Sequence, residues 1–340
     1  MADAKKRIII GLTQSFDFSD VMESELKKLG FDVINIAYPD HAFKYKNYLQ
    51  RLQNLFMKSL LNDKHFKNKL KFKPFKKYIK NKLTSISTAD YALIIRPDIY
   101  PKEILKSIKA KSKKMVGYQW DGLERFKAVK DYIPLFDRFF AFDIAEGSRK
   151  DNILPLTNFY FENSKIVTQT ENNVVFFLGS YFKNRMEIID KCAETLSSFG
   201  FKTNFNVYAN NNVASLAAEH PHLQFISEAV RYPQYLTYLK EASILADFLN
   251  PVHGGLSFRV FEALGYKKKL ITTNKAIRNY DFYNPSNIFV LENNNWDALA
   301  QFLSNNYEPV PEQIRSKYSF QNWVRYVLNI EPYQKITIAH

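Results

Sequence analysis

A glycine pair, Gly254-Gly255, stands between an apolar strand (Ile244, Leu245, Ala246) and a helix expected from about Leu256 to Tyr266. Glycine lets a backbone approach a ligand closely, and the first turn of a helix leaves several N–H groups without intrahelical partners. The positive end of the helix dipole adds to them, so such a turn suits a phosphate. Asn250, His253, Leu256, Ser257 and Arg259 surround it, and Asp247 closes the strand at the same mouth. His253 either contacts the ligand or braces the loop, and Asn274 is placed to touch the loop. Glu262 follows about two turns into the helix, where a carboxylate could meet sugar hydroxyls. Arg259 and Glu262 also stand three residues apart, the spacing of a plain ion pair.

Other strand ends offer further groups. After Val174–Leu178 come Gly179-Ser180, then Lys183 and Arg185. Gly179 permits close approach, and the two cations could neutralise a diphosphate or simply start a helix facing water. Earlier in the chain lie Arg96-Pro97-Asp98, Trp120-Asp121-Gly122 and Asp143. The indole of Trp120 offers a flat apolar surface for a sugar ring, and a carboxylate beside it can accept a hydroxyl proton. Asp121 is the first candidate for that base, with Asp98 and Asp143 behind it. Turn chemistry ahead of Gly122 accounts for Asp121 almost as well.

Absent patterns narrow the choice. The chain contains no Asp-x-Asp triplet, no GxGxxG, no GxxxxGK[ST] loop, no GxSxG and no Cys/His cluster with zinc spacing. Dehydrogenase, P-loop NTPase, serine hydrolase and zinc readings each lose their main signature. The lone Cys192 sits among Ile188, Ile189 and Leu196 and reads as a core residue of a helix.

The elements that must hold these groups alternate strand and helix, the pattern of parallel α/β sheets. Arg7–Ile10, Val33–Ile36, Ala92–Ile95, Met115–Tyr118 and Phe139–Phe142 read as strands of a first series, with helices at Ser19–Leu29, in a basic region and at Lys102–Lys109. A second series reads Val174–Leu178, Phe205–Tyr208, Leu223–Ile226, Ile244–Ala246, Leu270–Thr272 and Ile288–Leu291. Arg185–Ser198, Pro233–Glu241 and Leu256–Tyr266 are its helices. The basic run Lys267–Lys269 falls at a helix C-terminus, where the dipole favours cations. Pro311–Leu328 reads as one terminal helix.

At 340 residues, 46% of them hydrophobic, the chain suits two globular domains. No apolar run approaches the ~20 residues that cross a bilayer. The opening MADAKKRIIIGLTQ reads as a first strand and not as a signal peptide. A cytoplasmic protein is therefore expected, with the inner face of the plasma membrane as a place of attachment. The formal charge of +14 is unevenly spread: between Lys44 and Lys82 stand thirteen basic residues against one acid, Asp63. Tyr45, Tyr48, Leu49, Leu52, Leu55, Phe56 and Leu60 recur there at helical spacing. This stretch reads either as a surface for anionic lipid or as a solvated face over a core-packed helix; nucleic acid is not the partner expected.

The run GLSFRVFEALGYKKKLITTN, residues 255–274, resembles the donor-nucleotide site of GT-B glycosyltransferases, in particular the bacterial transferases that build lipopolysaccharide and capsule. The resemblance implies an α/β chain of two Rossmann-like, doubly wound domains facing a cleft, with a C-terminal helix crossing back. Residues 1–165 would bind the acceptor and carry a basic helical insertion at 43–84. Residues 170–310 would bind a nucleotide sugar, and 311–340 would form the helix and tail. It further implies that Glu262 holds the donor ribose and that Arg185, or else Lys183, serves the donor phosphates. Amides of Gly254–Ser257 and Arg259 would join Arg185 on the leaving diphosphate. No cofactor or metal is expected beyond the nucleotide-sugar donor, and the acceptor would be a glycan or a lipid-linked glycan. One departure stands out: many retaining members have a second glutamate eight residues before the first, and here that position is Gly254. Alternatives on the same fold are a nucleotide-sugar epimerase and a non-catalytic scaffold docked on a membrane.

Overall fold

The computed structural model describes residues 5–14, 17–39, 48, 52–53, 56, 66–120, 122–123, 125–142, 146–147, 152–162, 173–250 and 254–337. The chain divides into two compact units: Met1–Leu156 with Val324–Tyr333, and Thr157–Trp323 with Gln334–His340.

The first unit holds β1 (Arg7–Gly11), β2 (Asp32–Asn35), β3 (Ala89–Ile95), β4 (Ser112–Gln119), β5 (Arg138–Ala141) and β6 (Ile153–Pro155). They form one parallel sheet in the order β2-β1-β3-β4-β5-β6. Ile8, Ile9 and Ile10, like Leu93, Ile94 and Ile95, are fully buried. A parallel sheet covered on both faces asks for such unbroken apolar runs, which is why these strands are legible in sequence. The sixth strand is not legible there. It has three residues, pairs with β5 alone and ends in Pro155, which an edge tolerates.

The second unit holds β7 (Val174–Ser180), β8 (Lys202–Tyr208), β9 (Gln224–Ile226), β10 (Ile244–Asp247), β11 (Lys269–Thr272) and β12 (Ile288–Val290). Their order is β12-β11-β10-β7-β8-β9, again all parallel. This is the doubly wound Rossmann order, with the direction of winding reversing between β7 and β10. Helices Lys183–Ser198, Tyr232–Glu241, Phe258–Gly265 and Trp296–Ser304 accompany it. Cys192 is buried in the core of this unit, and burial pushes its thiol up to about 12, so it is inert at neutral pH.

Three expectations change. The stretch Thr157–Phe161 belongs with the second unit, so the division falls earlier than residues 165–170. Its backbone is anchored there: Trp323 Nε1 donates to Thr157 O at 2.9 Å, Asn158 Nδ2 to Leu256 O at 3.1 Å, and Tyr266 Oη to Phe161 O at 2.7 Å. The terminal helix is two helices, Glu312–Lys317 and Phe320–Leu328. Tyr160 pairs with the chain between them, its N–H on Tyr318 O and its carbonyl taking the N–H of Phe320, which draws Tyr318 and Ser319 out of helical geometry. Lys268 and Lys269 are buried, not solvated. Their ammonium groups cap other helices, Lys268 on Lys240 O at 3.1 Å and Lys269 on the carbonyls of Phe302 and Asn305.

Val324–Tyr333 returns to the first unit, as the resemblance implied. Arg138 Nη1 meets the carbonyls of Tyr326 and Val327 at 2.7 and 2.9 Å, and Lys114 Nζ meets Leu328 O at 3.2 Å. Two cations thus satisfy the helix end. Among the described residues no helix is long and apolar enough to cross a membrane.

Candidate anion-binding site

Ligands of doubly wound sheets bind beyond the carboxyl ends of the strands, where the winding reverses. In the second unit that point is the gap between β7, ending in Gly179-Ser180, and β10, ending in Asp247. Two guanidinium groups occupy it. Arg185, on the helix after β7, donates from Nη1 to Phe248 O at 2.8 Å and from Nη2 to Ser180 O at 2.7 Å. Arg259, on the helix after β10, donates from Nη2 to Leu178 O and from Nη1 to Asp247 Oδ1 at 3.2 Å. Each therefore ties one strand end to the other. Gly179 makes this possible: a Cβ there would lie 2.6 Å from the Phe177 ring and 3.1 Å from Arg185 Nη2.

Among the described residues, Asp247 is the carboxylate bonded to Arg259, and it acts on Arg185 through its charge alone. Asp247 is buried, and besides Arg259 it accepts from Ser257 Oγ at 2.7 Å and from Thr272 Oγ1 at 3.3 Å. Burial, and after it the neighbouring charge of Arg259, lowers Arg185 to about 10, with Asp247 opposing. It stays a cation at neutral pH. Two positive groups with one negative leave an excess of positive charge in a partly desolvated place. Both Nε–H groups are also buried without an acceptor, an unusual state for cationic donors in a native protein.

The glycine turn adjoins this cluster. Gly254 is exposed while Gly255 and Leu256 are buried. Asn274 braces the turn, with Nδ2 3.3 Å from the carbonyls of both Gly254 and Gly255 and Oδ1 taking the N–H of Ala276. The helix Phe258–Gly265 begins after Ser257, whose hydroxyl is engaged by Asp247 and caps no helix N–H. A side chain that would ordinarily quench the helix start is thus diverted, and the dipole end is left for an anion.

Glu262 does not pair with Arg259, despite the three-residue spacing. Its carboxylate is buried and accepts a hydrogen bond from Tyr235 Oη. Desolvation raises it to about 7; the hydrogen bonds of Tyr235 and Tyr232 and the charge of Arg259 oppose the rise. The carboxylate that the resemblance assigns to the donor ribose is held by Tyr235 and Tyr232.

Of the other candidates, Lys183 is exposed and Asn250 half-buried. His253 lies outside the described residues, as do Asp121 and Asp143. Trp120 is half-buried, its ring edge-on to Phe18 at 5.5 Å between centroids. Asp98 is buried with both oxygens held by the Arg96 fork at 2.7 Å, which takes up two of the roughly four acceptor sites of a carboxylate. Arg96 takes a left-handed backbone, φ 59, and its guanidinium lies 4.0 Å from the Phe126 ring centre. Sequence reasoning gave Asp247 no more than a place at the mouth and missed Tyr235 altogether. A single Asp closing an apolar strand is the only signal either residue offered.

The chain matches no family model, and no curated protein matches it in sequence. Solved structures are similar. TarM covers 96% of this chain over 99% of its own length, at 12% identity and a TM-score of 0.55. A sucrose-phosphate synthase from Thermosynechococcus elongatus covers 93% over 96% of its own length, at 9% identity and a TM-score of 0.52. At such identities the likeness speaks for architecture, and together with the two doubly wound sheets it shows that this chain has the GT-B fold.

Proposed function

We propose that this protein is a glycosyltransferase, which moves a sugar from a nucleotide-activated donor to a hydroxyl of a bacterial surface glycan, lipopolysaccharide or capsule. One observation carries the reading: Arg185 and Arg259, the latter paired with Asp247, stand at the point where the second sheet reverses, beside a helix start whose serine caps nothing. Charge develops on the leaving diphosphate as the glycosidic bond breaks. Fixed cations and helix amides stabilise it there without reorganising. In this reading the nucleotide sugar needs no metal, and Glu262 meets the ribose once Tyr235 and Tyr232 yield. Asp121, ahead of Asp98 and Asp143, takes the acceptor proton, with the sugar ring against Trp120. A lipid-linked acceptor would be met at an anionic membrane by the basic stretch 44–82.

Calorimetry with a panel of nucleoside diphosphates tests the donor site. Among the described residues Arg185 donates hydrogen bonds only to backbone carbonyls, so Arg185→Ala removes a cation without orphaning an acid. Affinity is expected to fall by ~10- to 100-fold, the worth of a charge-assisted hydrogen bond. Unchanged affinity would move the diphosphate elsewhere. Product analysis with donor alone addresses the epimerase alternative: an epimer formed without acceptor would replace this reading.

A further inference from the structure

The basic stretch divides into two physically different parts. In helices Phe66–Phe72 and Lys76–Thr84 the apolar side chains Phe72, Ile79 and Leu83 are buried in the core of the first unit. Phe72 meets Tyr38 and Tyr100 edge-on, at 5.3 and 6.0 Å between ring centres. Lys67, Lys73, Lys77 and Lys80 are left exposed. Here the solvated-face reading describes the helices well, since their apolar side is satisfied within the fold.

Tyr48, Leu52 and Phe56 are otherwise. Each is helical, and they are exposed at 70%, 42% and 53%. Residues four and eight apart share one face of a helix. Among the described residues five large apolar side chains stand exposed, and these three and Tyr78 all fall within the stretch of thirteen basic residues against one acid. A single exposed apolar residue means little. Three helical residues at four-residue spacing, amid a concentrated positive charge, call for a surface both apolar and anionic. The interfacial zone of a bilayer containing acidic lipids is such a surface. A second copy of this chain is a poor occupant, because it brings the same excess of cations to the contact. Nucleic acid would meet the lysines and leave Leu52 without a partner.

We propose that Tyr48, Leu52 and Phe56 insert into the interface of an anionic membrane while the lysines of 66–84 engage headgroups. The electrostatic half rests on the membrane reading given above; the insertion is additional to it. Attachment by charge alone dissolves in salt, because exposed charges are screened within a Debye length. An inserted apolar stripe persists.

Co-sedimentation with phosphatidylglycerol and phosphatidylcholine vesicles, at low and high salt, tests this. Wild type is expected to bind phosphatidylglycerol vesicles and to stay partly bound at high salt. The triple variant Tyr48→Ser, Leu52→Ser, Phe56→Ser should lose at least ~10-fold in binding and the whole salt-resistant fraction. Nucleoside diphosphate binding in the triple variant should match wild type, which shows the fold intact and keeps the donor site a separate question. Phe56→Trp should shift its emission to the blue on vesicles, beyond any change in wild type. If the triple variant sediments like wild type, or the new tryptophan does not shift on bound vesicles, insertion is overturned and lysine attachment stands alone. If wild type sediments with neither vesicle, both fall. A wild-type dimer in light scattering that the triple variant converts to monomer would also overturn the proposal and assign the stripe to self-association.

Discussion

Asp247→Ala is expected to cost the second unit about 3–5 kcal/mol, the penalty for breaking a buried pair by removing one partner. Three donors lose their acceptor at once: Arg259 Nη1, Ser257 Oγ and Thr272 Oγ1. Arg259 then loses its acidic partner while the like charge of Arg185 still acts nearby, and among the described residues neither buried Nε–H has an acceptor. The variant therefore needs an anion more than wild type does. Urea unfolding with and without inorganic pyrophosphate measures both effects. Pyrophosphate is expected to recover more stability in Asp247→Ala than it adds to wild type, since binding to the native state alone raises stability by mass action. Asp247→Asn keeps an acceptor for one or two of the donors and should lose less. A loss below about 1 kcal/mol in the alanine variant, with no extra response to pyrophosphate, would show that solvent already screens this cluster.

Glu262→Gln is expected to flatten the pH dependence of stability and to make the protein more stable above neutral pH. The carboxyl group is raised to about 7 in the folded protein from an ordinary 4.5, with burial as the main cause. Between those two values the native state holds a proton that the unfolded chain has lost. Stability from this group is thus fully present below about 4.5 and declines as the pH climbs to about 7. The decline amounts to roughly 3 kcal/mol by pH 8. Glutamine keeps an oxygen for Tyr235 Oη and has no charge to desolvate. Denaturant melts of wild type and variant at pH 5, 6, 7 and 8 give the comparison directly, because every other titrating group is common to both. Parallel profiles would mean that Glu262 is better solvated than its burial indicates. A charge held at such cost is expected where function requires it. If Glu262 meets the ribose, the stabilised variant binds nucleotide more weakly, and equal binding would remove that role.

Much of the architecture was legible because it depends on short-range pattern. Ile8–Ile10 and Leu93–Ile95 are buried on both faces of a parallel sheet, so they appear as unbroken apolar runs. Ile153–Pro155 was not legible, since an edge strand of three residues has too few positions to show a period. The run Lys267–Lys269 misled by type. Lysines seldom lie inside a fold, and only tertiary packing brings the ends of two other helices within reach of these amines.

The same division runs through the site. Glycines followed by a helix start, a single cysteine set among apolar neighbours, and a concentration of thirteen cations are properties of residues near each other in the chain, and the sequence alone determined them. Partnerships were decided only by the fold. Arg259 had Glu262 three residues away yet pairs with Asp247, and Glu262 was claimed by Tyr235, 27 residues back. Arg185 reaches Phe248 across 63 residues because β7 and β10 are neighbours in the sheet. A helix spacing says which side chains can meet along one element. Which of them do meet depends on competing donors and acceptors carried in by other strands, and on how far burial makes each unmade bond costly.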